Sequence, residues 1–290
     1  MAKLHSVNLS AELRGHHGIL VAALGGCAAF AELGDRMGNL PEEVELPPSS
    51  VAPSFGGRQE KVSAEARREF AADCARYAVV GMIGATEVYL GQVAFIVDLA
   101  SATLGQGGLM PATEYFSLAE KKRKHLRHSS SASLVREITT LLQIPIDEVL
   151  GTDWLETSYD LRNCLVHRRG QVSVADLNAP NSAPNELRVK WRKITLKVDE
   201  TPIDSLPFHV DAGQSLSVFV EDTCRSWHVG ETVDLSADDC QQMAFTLTVF
   251  AGHLAEKVQQ AFQRLAAVAE HAQGGEAPEG TSDQLGQEPP

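Results

Sequence analysis

Between Ser236 and His271 the chain places its apolar residues at one helical spacing. Met243, Leu247, Phe250, Leu254, Ala261, Leu265 and Val268 fall on a single stripe, the pattern of a helix with one face on a core. Ser236 and Asp239 match the reciprocal cap that opens such a helix. A stripe of this length has to be covered by other elements, and the segments upstream are also helical in pattern. The fold class is therefore expected to be mainly α.

The upstream helices follow from their punctuation. Residues 9–33 suit an Ala-rich helix, and a Pro-, Gly- and Ser-rich linker follows it. Ser63 suits the cap of a long helix in which Phe70, Cys74, Tyr77 and Gly81 share a face. Gly81, Gly84 and Gly91 weaken that helix and predict a kink or a split, while permitting close helix contacts. Shorter helices are expected over about 112–127, over 133–143, and from Thr152 or Asp153 to Arg169. Gly170 stands where a left-handed residue closes a helix.

The texture then changes. "QVSVADL", "LRVKWRKITLKV" and "SLSVFV" are short, β-rich and separated by turn residues. Leu187, Val189 and Trp191 alternate with polar residues, and the apolar phase then shifts to Ile194, Leu196 and Val198. That shift predicts a bulge near Arg192–Lys193. The organisation expected is an N-terminal helix and linker over 1–58, a helical domain over 59–271 with a small antiparallel β insertion at about 171–235, and a disordered acidic tail over 272–290.

Composition narrows the functions. The 290 residues, 43% of them hydrophobic, suffice for a real core. A net charge of -13 argues against a general nucleic-acid coat, although a local basic patch remains compatible with it. Five widely spaced cysteines without a C-x-x-C pair fit a reducing, cytoplasmic setting and no cysteine-rich zinc site. "LGGC" resembles a lipoprotein cleavage site, but its apolar run follows a long leader and reads better as a packed helix than as an anchor. No membrane partner, metal or cofactor is expected. The chain has no P-loop, dinucleotide-binding glycine pattern, H-E-x-x-H or G-x-S-x-G.

One constellation carries chemistry: Arg162, Asn163 and His167 in "YDLRNCLVHRRG". An imidazole takes a proton from a ribose 2′-hydroxyl or gives one to a leaving oxygen. A guanidinium holds a phosphate through two hydrogen bonds and opposes the charge of the transition state. Asn163 lies one turn before His167, within reach to orient it. The spacing alone is weak, since Arg123 and His128 repeat it in a polar run. Position distinguishes the first pair, which ends a helix with Gly170 behind it and a strand after. Residues five apart are about 140° apart around a helix, so Arg162 and His167 meet at one cleft only if the helix end distorts or two copies of it come together. The plain alternative is that Arg162 pairs with a core carboxylate while His167, Arg168 and Arg169 balance the helix C-terminus.

"LRNCLVHRRG", the strand after it and the long final helix resemble the HEPN superfamily. The resemblance implies a helical bundle, commonly a homodimer with paired motifs facing each other, and a metal-independent endoribonuclease of the kind found among toxins and defence effectors. By position Arg162 and His167 would be catalytic and Asn163 the accompanying polar residue; in an RNA-cleaving scheme Arg168 or Arg169 would bind and steer the substrate. RNA would be the substrate, and an antitoxin or another protein a further partner. The specific match covers about a dozen residues. Some members of the superfamily are non-catalytic dimerisation or interaction modules, which is the competing expectation. Lys121–Lys124, Arg188, Lys190 and Arg192 suit a solvated face or a protected sheet edge better than RNA contacts. Trp154, Trp191 and Trp227 suit the core better than base stacking.

Overall fold

The computed structural model describes residues 8–40, 63–105, 110–126, 129–177, 185–199, 201–202 and 213–274. The described residues form α1 (Leu9–Gly38), α2 (Ala64–Gly105), α3 (Ala112–Leu126), α4 (Ser131–Leu141), α5 (Thr152–Arg168), β1 (Glu186–Val198), β2 (Thr201–Pro202), β3 (Leu216–His228) and α6 (Ala237–Gly274). The fold is mainly helical, with a small antiparallel sheet before the last helix.

The capping chemistry sets the helix starts. Ser63 Oγ accepts from the Ala66 N–H at 3.1 Å. Ser130 Oγ accepts from the Ser133 N–H at 3.2 Å. At α6 the bonds are reciprocal: Ser236 Oγ accepts from the Asp239 N–H at 3.1 Å, and the Asp239 carboxylate accepts from the Ser236 N–H at 2.9 Å. Each cap satisfies donors that the first helical turn leaves unpaired.

α2 is the hub, packing against α1, α3, α4, α5 and α6. It runs as one helix through Gly81, Gly84 and Gly91, contrary to the expected split. The glycines serve contact instead. A Cβ on Gly34 of α1 would lie 2.4 Å from the Cys74 Cβ, and one on Gly81 would lie 3.0 Å from the Cys27 Sγ. α1 and α2 therefore run antiparallel at a separation that larger residues forbid. Leu13, Leu20, Leu24 and Ala31 of α1 join the same core as Leu90, Val93, Phe250 and Leu254. The N-terminal helix is thus part of the helical core, rather than an addition to it.

α1 is also five residues longer than the apolar run predicted. By length and composition α1 and α2 each qualify to cross a membrane. The apolar window of α2 is 56% buried and that of α1 only 22%. At the other end α6 passes His271 and reaches Gly274; residues 275–290 of the expected acidic tail lie outside the described residues.

The sheet has the order β2-β1-β3. β1 and β3 pair in one unbroken register from Glu186↔His228 to Val198↔Leu216, so the bulge expected near Arg192–Lys193 is absent. The reason is that both strands change phase together. Ile194, Leu196 and Val198 stand opposite Val220, Val218 and Leu216, and no inserted residue is needed to keep apolar side chains on one face. Leu187, Val189 and Trp191 are buried, with the Trp191 indole N–H donating to Gln242 of α6 at 3.2 Å. The far half presents its apolar side on the opposite face, where Leu216, Val218 and Val220 are exposed.

Candidate functional site

The candidate residues sit on the last three turns of α5. Its C-terminus is closed by two successive left-handed residues, Arg169 with φ +55 and Gly170 with φ +82. The Gly170 N–H returns to the Cys164 carbonyl at 3.1 Å, and the Gly170 carbonyl accepts from the Val233 N–H at 2.8 Å. Gly170 meets the left-handed requirement at no steric cost, whereas Arg169 adopts it with a side chain. These bonds tie the helix end to the segment that leads into α6.

Leu161, Cys164 and Leu165 face inward and are buried. The Cys164 thiol is pushed up from its ordinary value, mainly by burial, with Arg168 opposing; it is a packing residue. The outward arc carries Tyr159, Arg162, Asn163, Val166 and His167. Arg162 and His167 stand at its two edges, about 140° apart, and within one chain they do not converge.

The residues differ in their engagement. Arg162 is half-buried, and its Nε is 4.0 Å from Glu87 Oε2 on α2. That Nε is shut from solvent and makes no hydrogen bond, so the contact is a loose ion pair. Burial pushes the Glu87 carboxyl up, and Arg162 offsets part of that. Asn163 is half-buried. His167 and Arg169 are exposed, with no side-chain partner among the described residues. Val88, next to Glu87, and Val166, one turn beyond Arg162, are exposed as well. Apolar surface therefore flanks the Arg162–Glu87 pair.

Arg168 has a structural role. Its Nε donates to the buried Asp176 carboxylate at 2.8 Å and its Nη2 forms an ion pair with the same group. Asp176 also accepts from the Ser173 N–H at 2.8 Å. Arg168, a candidate for substrate binding, is thus engaged at the helix end, with its side chain 26% exposed. The Ser173–Asp176 spacing repeats the capping-box pattern of Ser236–Asp239, so the partner was visible in the sequence. Glu87 had no comparable signal, since only the packing of α2 on α5 brings it to Arg162.

Of the remaining basic and aromatic candidates, the tryptophans, Arg192 and Lys122 are committed to structure, whereas Lys121, Lys124 and Arg188 are exposed. Trp154, Trp191 and Trp227 are buried, and the Arg192 guanidinium lies 4.5 Å over the Trp154 ring. Lys122 is buried in an ion-pair cluster. Arg127 and His128 lie outside the described residues, as does the Arg123 side chain. Two cavities are also remote from His167, one lined by Ser158, Leu161, Lys190 and Trp191, the other by Arg136, Ile146 and Glu156. Among the described residues no cluster of three or more His, Cys, Asp or Glu side chains is placed to hold a metal ion.

One further group on α5 titrates unusually. Burial, with help from Glu156 one turn earlier, pushes the Asp160 carboxyl up to about 6. An unfolded aspartate ionises near 3.9, so between these values the folded state binds more protons. Stability is therefore gained as pH falls from 7 through 6 towards 4, and is lost again as Asp160 ionises. Asp160→Asn is expected to raise Tm by about 2 °C at pH 7.5, because the half-exposed group is partly screened. The advantage is about halved at pH 5 and disappears near pH 4. Thermal melts of the two chains across that range check the difference.

No family model, no curated protein and no solved structure matches this chain.

Proposed function

We propose that this chain is a HEPN-type, metal-independent endoribonuclease that acts as a homodimer. The observation that carries the reading is the outward arc of α5. Arg162, Asn163 and His167 share it at a rigidly closed helix end, flanked by the exposed Val88 and Val166. Each helix bears an arginine and a histidine too far apart for one phosphate. A second copy laid across the arc brings the histidine of one chain to the arginine of the other.

In this scheme His167 takes the proton from a ribose 2′-hydroxyl. The 2′-oxygen attacks phosphorus, the bond to the 5′-oxygen breaks, and a protonated histidine supplies the leaving oxygen with a proton. Arg162 leaves Glu87 to hold the phosphate and oppose its developing charge. Asn163 orients His167, and Arg169 steers the incoming backbone. Arg168 stays on Asp176 and takes no part in steering.

Purified protein is expected to cut RNA in the presence of EDTA and to leave a cyclic phosphate. Arg162→Ala and His167→Ala are each expected to lower the rate at least about a hundredfold. Equal cleavage by parent and variants would assign the activity elsewhere. A second reading is a non-catalytic HEPN-like dimerisation or interaction module. It is favoured by the Arg162–Glu87 pair, which already engages the arginine. A parent protein that leaves RNA intact while forming a dimer selects that reading.

A further inference from the structure

α1 carries two heptad seams. The inward one, Leu13, Leu20, Leu24 and Ala31, is buried on the core. The outward one runs through Gly15, Ile19, Ala22, Gly26, Ala29 and Leu33, and every residue in it is exposed. Ile19 is 67% and Leu33 57% exposed. A Cβ built on Gly15, Gly18, Gly25 or Gly26 meets nothing within 4 Å. Apolar positions alternating at spacings of four and three form the seam along which two helices pack, and this one has no partner within the chain.

We propose that the outward seam of α1 pairs with the same seam of a second copy of this chain, antiparallel, about a two-fold axis at the level of Leu24. A closed dimer requires one surface to be complementary to itself, and the order of residue sizes along the seam meets that condition. The axis sets Gly15 opposite Leu33, Ile19 opposite Ala29, and Ala22 opposite Gly26. A large side chain thus falls on a small one, or two small ones meet and let the backbones approach. A parallel pair would set Ile19 on Ile19 and Leu33 on Leu33, with empty space at the glycines. The charges select the same orientation. Arg14 has no ion-pair partner among the described residues, and in the antiparallel pair it comes within a turn of the other copy's Glu32. In the parallel pair Arg14 meets Arg14 and Glu32 meets Glu32. None of this rests on the ribonuclease reading, because the seam includes no residue of α5.

Two measurements test the pairing. In sedimentation at tens of micromolar the full chain carrying Val88→Asp and Val166→Asp, which block pairing through α5, is expected to be a dimer. Adding Ile19→Asp and Leu33→Asp is expected to make it a monomer with the same helical content, since both side chains are exposed. The second uses a background in which Cys27→Ala and Cys224→Ser remove the accessible thiols. Ile19→Cys with Ala29→Cys is expected to crosslink between chains on mild oxidation. Ile19→Cys alone is expected to stay unlinked, because its two copies lie about 15 Å apart along the axis and a disulfide needs a far closer approach. A monomer without the α1 aspartates overturns the proposal, as does a dimer indifferent to them. Crosslinking by Ile19→Cys alone would show parallel pairing and overturns it too. Flotation of the parent with phosphatidylcholine–phosphatidylglycerol vesicles, abolished by the α1 aspartates, would assign the seam to a lipid surface instead.

Discussion

Replacing Asp176 with alanine is expected to cost about 3–5 kcal/mol of folding stability, and a drop in Tm of roughly 10 °C. The carboxylate is 1% exposed and lies in the short 3₁₀ turn Val174–Asp176 that follows α5. It accepts from the Ser173 N–H and hydroxyl and from the Arg168 guanidinium. Alanine removes all of these acceptors and leaves Arg168 facing a space without a counter-charge. Truncating one member of a buried charge pair costs more than the pair contributes, because the survivor loses its partner without regaining full hydration. Arg168 keeps some contact with water, its side chain being 26% exposed, so the effect falls at the lower end of the range. Asp176→Asn keeps the shape and loses the charge, and should recover part of the loss. Urea titration of the three chains measures both. A cost below about 1 kcal/mol would mean that this cluster does not hold the end of α5.

That cluster also marks where sequence reading succeeded and where it stopped. Helix positions were legible because caps and periodicity are local properties: Ser63, Ser236 and Gly170 each do in the fold what their residue types imply. The unbroken α2 was not legible, because the cost of a glycine in a helix is local whereas the benefit at Gly81 comes from Cys27 of another helix. The phase shift in β1 was visible but its cause was not, since one strand does not reveal that its partner shifts with it. At the candidate site the outward placement of Asn163 and His167 followed from helical spacing. The pairing of Arg162 with Glu87 is set by tertiary packing and has no trace in either segment alone. The length of α1 was masked by Asp35 and Arg36, which read as the start of a linker yet complete its last turn.

The basic run "KKRKHLRH" gives the second large effect, through the one lysine in it that is buried. Lys122 is 4% exposed, and its Nζ lies 2.9 Å from Asp98 of α2 and in an ion pair with Glu137 of α4. Its neighbours Lys121 and Lys124 are exposed, as a solvated face predicts. The buried ammonium therefore links three helices, and it matters most to α3, whose principal neighbour is α2. Beyond Lys122 that contact includes the edge-on packing of Tyr115 against Phe95, with ring centroids 5.9 Å apart. Lys122→Met keeps the length and apolar stem of the side chain, and removes the ammonium that Asp98 and Glu137 share. The expected cost is about 2 kcal/mol, because Asp98 and Glu137, 20% and 28% exposed, lose the ammonium they share. It should appear as loss of amide protection across α3 before the rest of the fold opens, since a helix with few contacts separates as a local unit. Neutralising the survivors distinguishes charge from packing: Asp98→Asn and Glu137→Gln added to Lys122→Met should restore most of the protection. If the triple variant stays as open as the single one, the lysine acts through its hydrocarbon stem and the ion-pair account of α3 is wrong.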